Sequence, residues 1–318
     1  EASRNFANKL WNAARYVMTH LERAGKVEAW QWPPKSTHLE DRWVMSRLNR
    51  VAAEVERHMK EYQFGEAQRE VHDFLWSEYC DWYLEMSKVR LRAGGESPLP
   101  VLAYVLERLL RLLHPFMPFI TEEIWRSLLS FVPDEPGRPA SLMVAAYPEV
   151  ETNLFDEQAE SDAGAIIEMV RSIRNLRAEF RIQPSQRIEA IVEAPAIRSI
   201  LEAEANTIRA LAQVDPLRIV SDTPPADGSS AGQRVSLVLS RGTVTVPLEG
   251  LVDLEHEKRR LSSELEQIQS NRQRLSARLE DEQFLEKAPE EVVERERQRL
   301  DSMDDRRARV EETLSRLG

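Results

Sequence analysis

One cysteine in 318 residues, Cys80, excludes a disulfide framework and any cysteine-rich zinc site, because both need several thiols at set spacings. The expected setting is therefore reducing and cytoplasmic. Histidine is nearly as scarce: the six (His20, His38, His58, His72, His114, His256) include no pair four apart on a helix, so no metal site is expected. The 11 glycines form neither G-x-G-x-x-G nor G-x-x-x-x-G-K-[ST], so the loops that cradle phosphates with backbone N–H groups are missing. Gly25-Lys26 lacks both the upstream glycine and the downstream hydroxyl. The most apolar run, Leu99 to Ile120, carries Glu107, Arg108 and Arg111, which a bilayer core would exclude, so no membrane association is expected. No basic start leading into an apolar run opens the chain, so no secretory signal is expected. A first residue of Glu1 rather than Met leads to the expectation of a fragment or processed product.

Charge is what the chain has in quantity. Charged residues make up 31% of it and the net charge is -11, which opposes indiscriminate attraction to nucleic acid. Any nucleic-acid site must be local. The basic residues are mostly arginine, whose planar fork matches phosphates and base edges. With 42% apolar residues and a length near two domains of about 150 residues each, the chain can bury a sizeable core.

Periodicity divides the chain in three. Phe6, Leu10, Ala13, Val17 and Leu21 recur in steps of four and three, predicting an amphipathic helix from Asn5 to about Gly25. After a Pro33-Pro34 linker, helices are predicted from about Asp41 to Tyr62, from Glu66 to Leu91, up to Leu113, and from Phe119 to Phe131, giving a helical bundle over 1–150. A small mixed α/β module is predicted over 151–250: a helix from Asp156 to Arg181, alternating polar and apolar residues over Arg187–Glu193, helical residues from Ala196 to Ala212, and short strands at Leu217–Val220, Arg234–Leu239 and Thr243–Val246, with a loop at Pro224–Gly232. From 251 to 318, two heptad seams (Leu254, Lys258, Leu261, Leu265, Ile268, Arg272, Leu275, Leu279, then Val293, Glu296, Leu300, Met303, Arg307, Val310, Leu314, Leu317) flank a turn containing Pro289, predicting an antiparallel coiled-coil hairpin. The fold class is mainly α.

No catalytic constellation is visible. Cys80 lies among Trp76, Tyr79, Trp82 and Tyr83, where a core thiol is expected rather than a nucleophile. Glu122 and Glu123 follow Thr121 in a helix's first turn, where they complement the macrodipole.

Three segments carry a resemblance. Asn5-Phe-Ala-Asn-Lys-Leu-Trp-Asn-Ala-Ala-Arg-Tyr16, Phe74-Leu-Trp-Ser-Glu-Tyr-Cys-Asp-Trp-Tyr-Leu-Glu85 and Leu109-Leu-Arg-Leu-Leu-His-Pro-Phe-Met-Pro-Phe-Ile-Thr-Glu-Glu-Ile-Trp125 resemble the anticodon-binding domain of class I valyl-tRNA synthetases. Val246-Pro-Leu-Glu-Gly-Leu-Val-Asp253 and Phe284-Leu-Glu-Lys-Ala-Pro-Glu-Glu-Val-Val293 are similar to that family's C-terminal arm. The family's H-I-G-H and K-M-S-K-S motifs are missing, and Met86-Ser87-Lys88 echoes the latter only by chance. The resemblance implies a tRNA-recognition portion that binds valine tRNA as a monomer and holds no cofactor. ATP and magnesium are expected only for the full-length parent, a valine-tRNA ligase whose catalytic and editing domains are the other implied partners.

With that resemblance, Asn8, Asn12, Arg15 and Tyr16, with Asn5 alongside, become the expected anticodon readers: amides for base edges, a guanidinium for phosphate or base, an aromatic face for a splayed base. Valine codons begin G-U, so their anticodons share A and C. The same residues also fit a structural role, with the asparagines bonding backbone and Tyr16 packing. Arg171, Arg174, Arg177 and Arg181 form a stripe beside Ile166, Met169, Ile173, Leu176 and Phe180, read equally as an RNA-facing strip (Arg171, Arg174, Arg181) or a solvated face. On the arm, where an ordinary charged coiled coil explains most arginines, Arg274 and Arg299 are expected at the outer corner of the tRNA. The alternative function is a helical scaffold whose coiled coil binds another protein. Because the activation motifs are missing, valine-dependent pyrophosphate exchange with ATP is expected at background for the purified chain.

Overall fold

The computed structural model describes residues 2–25, 31–94, 96–132, 137–221, 234–248, 254–281 and 289–317. They divide into two compact units, 1–171 with 197–212, and 172–196 with 213–318. Residues 151–171 and 197–212, within the stretch read as the mixed module, thus belong to the first unit.

The first unit is a helical bundle of α1 (Ala2–Ala24), α2 (Leu39–Lys60), α3 (Phe64–Asp73), a π-helical segment (Phe74–Tyr83), α4 (Leu84–Ala93), α5 (Leu99–Leu113) and α6 (Pro118–Leu129). The apolar stripe predicted for α1 is buried at every position. The apolar run that a membrane span would need is α5, enclosed by α1, α2, α3 and α6. Its charge is accommodated rather than stranded: buried Glu107 accepts from the Trp125 indole at 2.9 Å and from Arg111 Nε at 2.6 Å. No helix among the described residues is long and apolar enough to cross a membrane. The aromatic segment reads as a single helix in sequence, yet its middle is widened into i→i+5 geometry, a feature that periodicity does not reveal. Cys80 is buried there as expected, and burial pushes its thiol up to about 12. Ser87, in the K-M-S-K-S echo, is a fully buried helical residue bonding the Leu84 carbonyl.

The bundle core holds a charged cluster. Arg90 donates from Nη1 to Glu40 at 2.7 Å and from Nη2 to Asp41 at 2.8 Å. Tyr83 and Ser36 hydroxyls donate to Asp41, each at 2.7 Å. All three charged side chains are at most 9% exposed. Burial and then the neighbouring Asp41 push the Glu40 carboxyl above its ordinary 4.5, with Arg90 pulling it back.

In the second unit a four-stranded mixed sheet runs in the order β2 (Val214–Val220), β1 (Ile188–Glu193), β4 (Gly242–Pro247), β3 (Arg234–Leu239). β1 and β2 are parallel, and the other neighbours are antiparallel. The parallel pair is linked through α8 (Arg198–Ala203) and α9 (Ala205–Ala212) of the first unit, the crossover that parallel strands require. Gly242 is obligatory at the β3–β4 turn: a β-carbon there would lie 2.5 Å from the Glu193 carbonyl oxygen and the Ala194 β-carbon.

The arm consists of α10 (Leu254–Glu280) and α11 (Glu290–Leu317), packed along their length; α10's 27 residues span roughly 40 Å. The expected seam is observed, with Leu261, Ile268, Leu275 and Val310 buried. Arg272 to Asp304 and Arg306 to Glu264, both at 2.6 Å, cross between the helices and fix an antiparallel register. The carbonyl of Pro289 accepts the first bonds of α11, which places the proline immediately before the helix. The turn at 282–288 and the loop at Pro224–Gly232 lie outside the described residues.

Replacing Arg90 with Met should destabilise the first unit by about 3–5 kcal/mol in urea unfolding near neutral pH, since it leaves two carboxylates buried without their cation. The loss should shrink as the pH falls toward the raised Glu40 range, where that group takes up a proton. A pH-independent loss would remove the buried-charge explanation.

Candidate nucleic-acid interface

Helix α1 buries one face and presents the other. Asn8, Asn12 and Arg15 are exposed, and Arg15 Nη2 donates to Asn12 Oδ1 at 3.1 Å, holding two recognition groups together. Neither asparagine bonds backbone among the hydrogen bonds of the described residues. Tyr16 stands differently. It is half-buried, its ring packs on His20 with centroids 4.5 Å apart, and Lys88 Nζ lies 5.3 Å from its centroid. Its hydroxyl is buried beside the Ser87 side chain without a hydrogen bond of good geometry among the described residues, and burial, with Glu85 adding to it, pushes the phenol above its ordinary value while Arg92 and Ser87 pull it back. The helix therefore gathers Asn8, Asn12 and Arg15 on one strip and turns Tyr16 toward the bundle.

Sequence reasoning passed over Trp11. At 42% exposure it shares the strip with Asn8 and Arg15, at the i+3 and i+4 spacings that make helical neighbours. A tryptophan on the polar side of an amphipathic helix was the available signal. Beside the strip, Lys9 sits 3.8 Å from the Trp76 ring centroid and donates to Asp81 at 2.8 Å.

The arginine stripe of α7 (Glu157–Glu179) separates into distinct roles. Arg171 is exposed and lies 5.7 Å from the Trp82 ring centroid; Arg174 is exposed. Arg177 is buried and structural: its guanidinium donates to the carbonyls of Gln183 at 2.9 Å, Gln186 at 2.8 Å and Gln213 at 3.3 Å, tying the helix end to the sheet. Burial lowers its pKa, a price offset by three carbonyl dipoles. Arg181, just past the helix, is exposed with φ of 51°. On the arm, Arg274 is exposed, and Arg299 is exposed with its nearest acid, Glu296, at 3.8 Å. Among the described residues no cluster of histidine, cysteine and acids has metal-binding geometry.

Residues 41–192 match the family described as the anticodon-binding domain of tRNA ligase, and residues 253–318 match the valyl tRNA synthetase tRNA binding arm. Curated valine-tRNA ligases align along nearly the entire chain. Those of Dehalococcoides mccartyi strain CBDB1 and Thermotoga maritima are 46% and 37% identical over 98% and 100% of it. That of Carboxydothermus hydrogenoformans is 40% identical over 94%. The chain belongs to the valyl-tRNA synthetase family. It spans about a third of the length of these relatives, corresponding to 34%, 34% and 33% of each. It carries the family's anticodon-binding domain and tRNA-binding arm, and α1 precedes the matched domain while packing on its α5, α6 and π-helical segment.

Because the enclosed Tyr16 hydroxyl has only the poorly aligned Ser87 side chain beside it, Tyr16→Phe should leave the first unit as stable or up to about 1 kcal/mol more stable. Thermal unfolding checks this, and a clear loss would mean that the hydroxyl is bonded.

Proposed function

We propose that this chain is the tRNA-reading part of a valine-tRNA ligase. It reads the anticodon loop with the exposed strip of α1 and grips the RNA elsewhere with the arm. The observation that carries the reading is the juxtaposition of Asn8, Trp11, Asn12 and Arg15 on one exposed face of a helix packed on an anticodon-binding domain. Asparagine offers a donor and an acceptor to the edge of an adenine or cytosine, the two bases that valine anticodons share. Tryptophan offers a flat apolar face to an unstacked base, and arginine supplies phosphate or base contacts. Tyr16 supports this strip from beneath rather than stacking on RNA.

The arm contributes sequence-tolerant contacts, Arg274 and Arg299 among them, and Arg171, Arg174 and Arg181 add backbone contacts. The chain itself does not activate valine. ATP and magnesium belong to the catalytic part of the full-length enzyme, which works in the cytoplasm, and this chain acts as a monomer. Against the scaffold alternative stands the arm's own pairing: α10 and α11 bury each other's seam, so that face is already occupied.

Binding to valine tRNA and to a version with the shared anticodon A and C replaced tests the reading, with clear preference for the natural tRNA expected. Trp11→Ala should weaken binding of the natural tRNA by about 1–3 kcal/mol and affect the changed tRNA less. Equal affinity of the unaltered chain for both tRNAs would refute anticodon reading.

A further inference from the structure

At the base of the arm, within the second unit, a cleft of about 470 Å³ opens between the end of α7 and the two arm helices. Arg181, Arg260, Arg306 and Arg309 line it with Glu179 and Glu264, over Leu261 and Val310. Among the described residues, four arginines thus converge on one cleft of a chain whose net charge is -11. Glu264 is shared: it accepts from Arg260 Nη1 at 2.9 Å and from Arg306 Nη2 at 2.6 Å and Nε at 3.1 Å. One acid thus orients two arginine forks at the cleft. The Arg306 side chain remains 64% exposed.

The second observation is the backbone of Arg181. The Ile182 N–H bonds the Arg177 carbonyl at 2.8 Å and the Arg181 N–H bonds the Ala178 carbonyl at 3.2 Å, which is the Schellman closure of α7. Arg181 occupies its left-handed position, at φ 51°, where glycine is the residue without steric penalty. The sequence keeps a guanidinium there against the local backbone preference. That side chain then belongs to the cleft lined by the three arm arginines. Strain retained at a charged, open site points to function rather than to folding.

We propose that this cleft is a subsite for a backbone phosphate of the bound tRNA, gripped by Arg181 from the end of α7 and by Arg306 from the arm. Arginine forks pair with phosphate oxygens in bidentate geometry, and the open cleft admits a phosphodiester with its flanking ribose. The site reads no base, so it adds affinity without specificity. It rests on the tRNA reading above and places the arm's phosphate grip at its base, in addition to Arg274 and Arg299.

The test uses the whole chain and a valine tRNA transcript, with affinity measured between 50 and 200 mM salt. Arg181→Gly relieves the strained position, so its melting temperature should be unchanged or higher while its affinity falls several-fold. The dependence of log affinity on log salt should become shallower by about 0.7–0.9 for one lost phosphate contact. Arg306→Gln should do the same, and both should weaken natural and anticodon-changed tRNA by equal factors. Affinity and salt dependence unaltered by both substitutions, in a chain that does bind tRNA, overturn the cleft assignment alone. A lower melting temperature for Arg181→Gly would make the residue structural and also overturn it. Failure of the unaltered chain to bind tRNA overturns the parent reading and the cleft with it.

Discussion

Two adjacent carboxylates, Glu40 and Asp41, are buried in the bundle with one guanidinium, Arg90, facing both. Much of the first unit is arranged around that imbalance. Asp41 also receives the Tyr83 and Ser36 hydroxyls, so the cluster joins the start of α2 to the end of the π-helical segment and to α4. A buried ion cluster is a weak source of net stability, because desolvation offsets most of the attraction, but it penalises other arrangements heavily. Here it fixes the rotation of α4 and the π-helical segment, and α1 packs on the latter. The exposed strip on α1 is therefore presented at a set angle by groups that never meet solvent.

The arginines show how one residue type is divided between scaffold and surface. Arg90 and Arg177 are interior, one answering carboxylates and the other three carbonyls. Arg272 and Arg306 cross the arm and set its register. Arg15, Arg171, Arg181, Arg274 and Arg299 remain exposed. On the proposed reading this last group, with Arg174 and Arg306, supplies the local RNA contacts of a chain whose net charge of -11 opposes general attraction to nucleic acid. The arm's polar seam follows the same logic. Glu296 and Arg307 at the seam are held by ion pairs rather than hydrogen bonds at one atom each, Glu296 Oε2 by Arg299 at 3.8 Å and Arg307 Nε by Glu311 at 3.7 Å.

Much of this was legible from residue order because it rests on local periodicity. The apolar stripe of α1, the alternation of β1 and the heptads of α10 and α11 each state which face must be buried, and the faces they name are the ones buried. The strip of Asn8, Asn12 and Arg15 was legible for the same reason, since residues off an amphipathic stripe must face solvent unless another element covers them. Tyr16 shows the limit. It lies at the margin of the stripe, and only the packing of α4 decides that its hydroxyl is enclosed and its ring held by Lys88. Trp11 was missed for the converse reason, because a large aromatic ordinarily belongs to a core.

The sequence by itself determined the helix faces, the strands, the paired arm and the family, all of which follow from spacing over a few turns or from short motifs. Tertiary structure alone decided which charges are interior. Arg177 and Arg181 belong to one stripe in sequence, yet one is sealed beneath the helix end while the other is turned outward by a left-handed residue. The same holds for the cleft at the arm's base, whose residues lie up to 132 positions apart, from Ala178 to Val310. Periodicity is a short-range property, and charge convergence is a consequence of how distant helices meet.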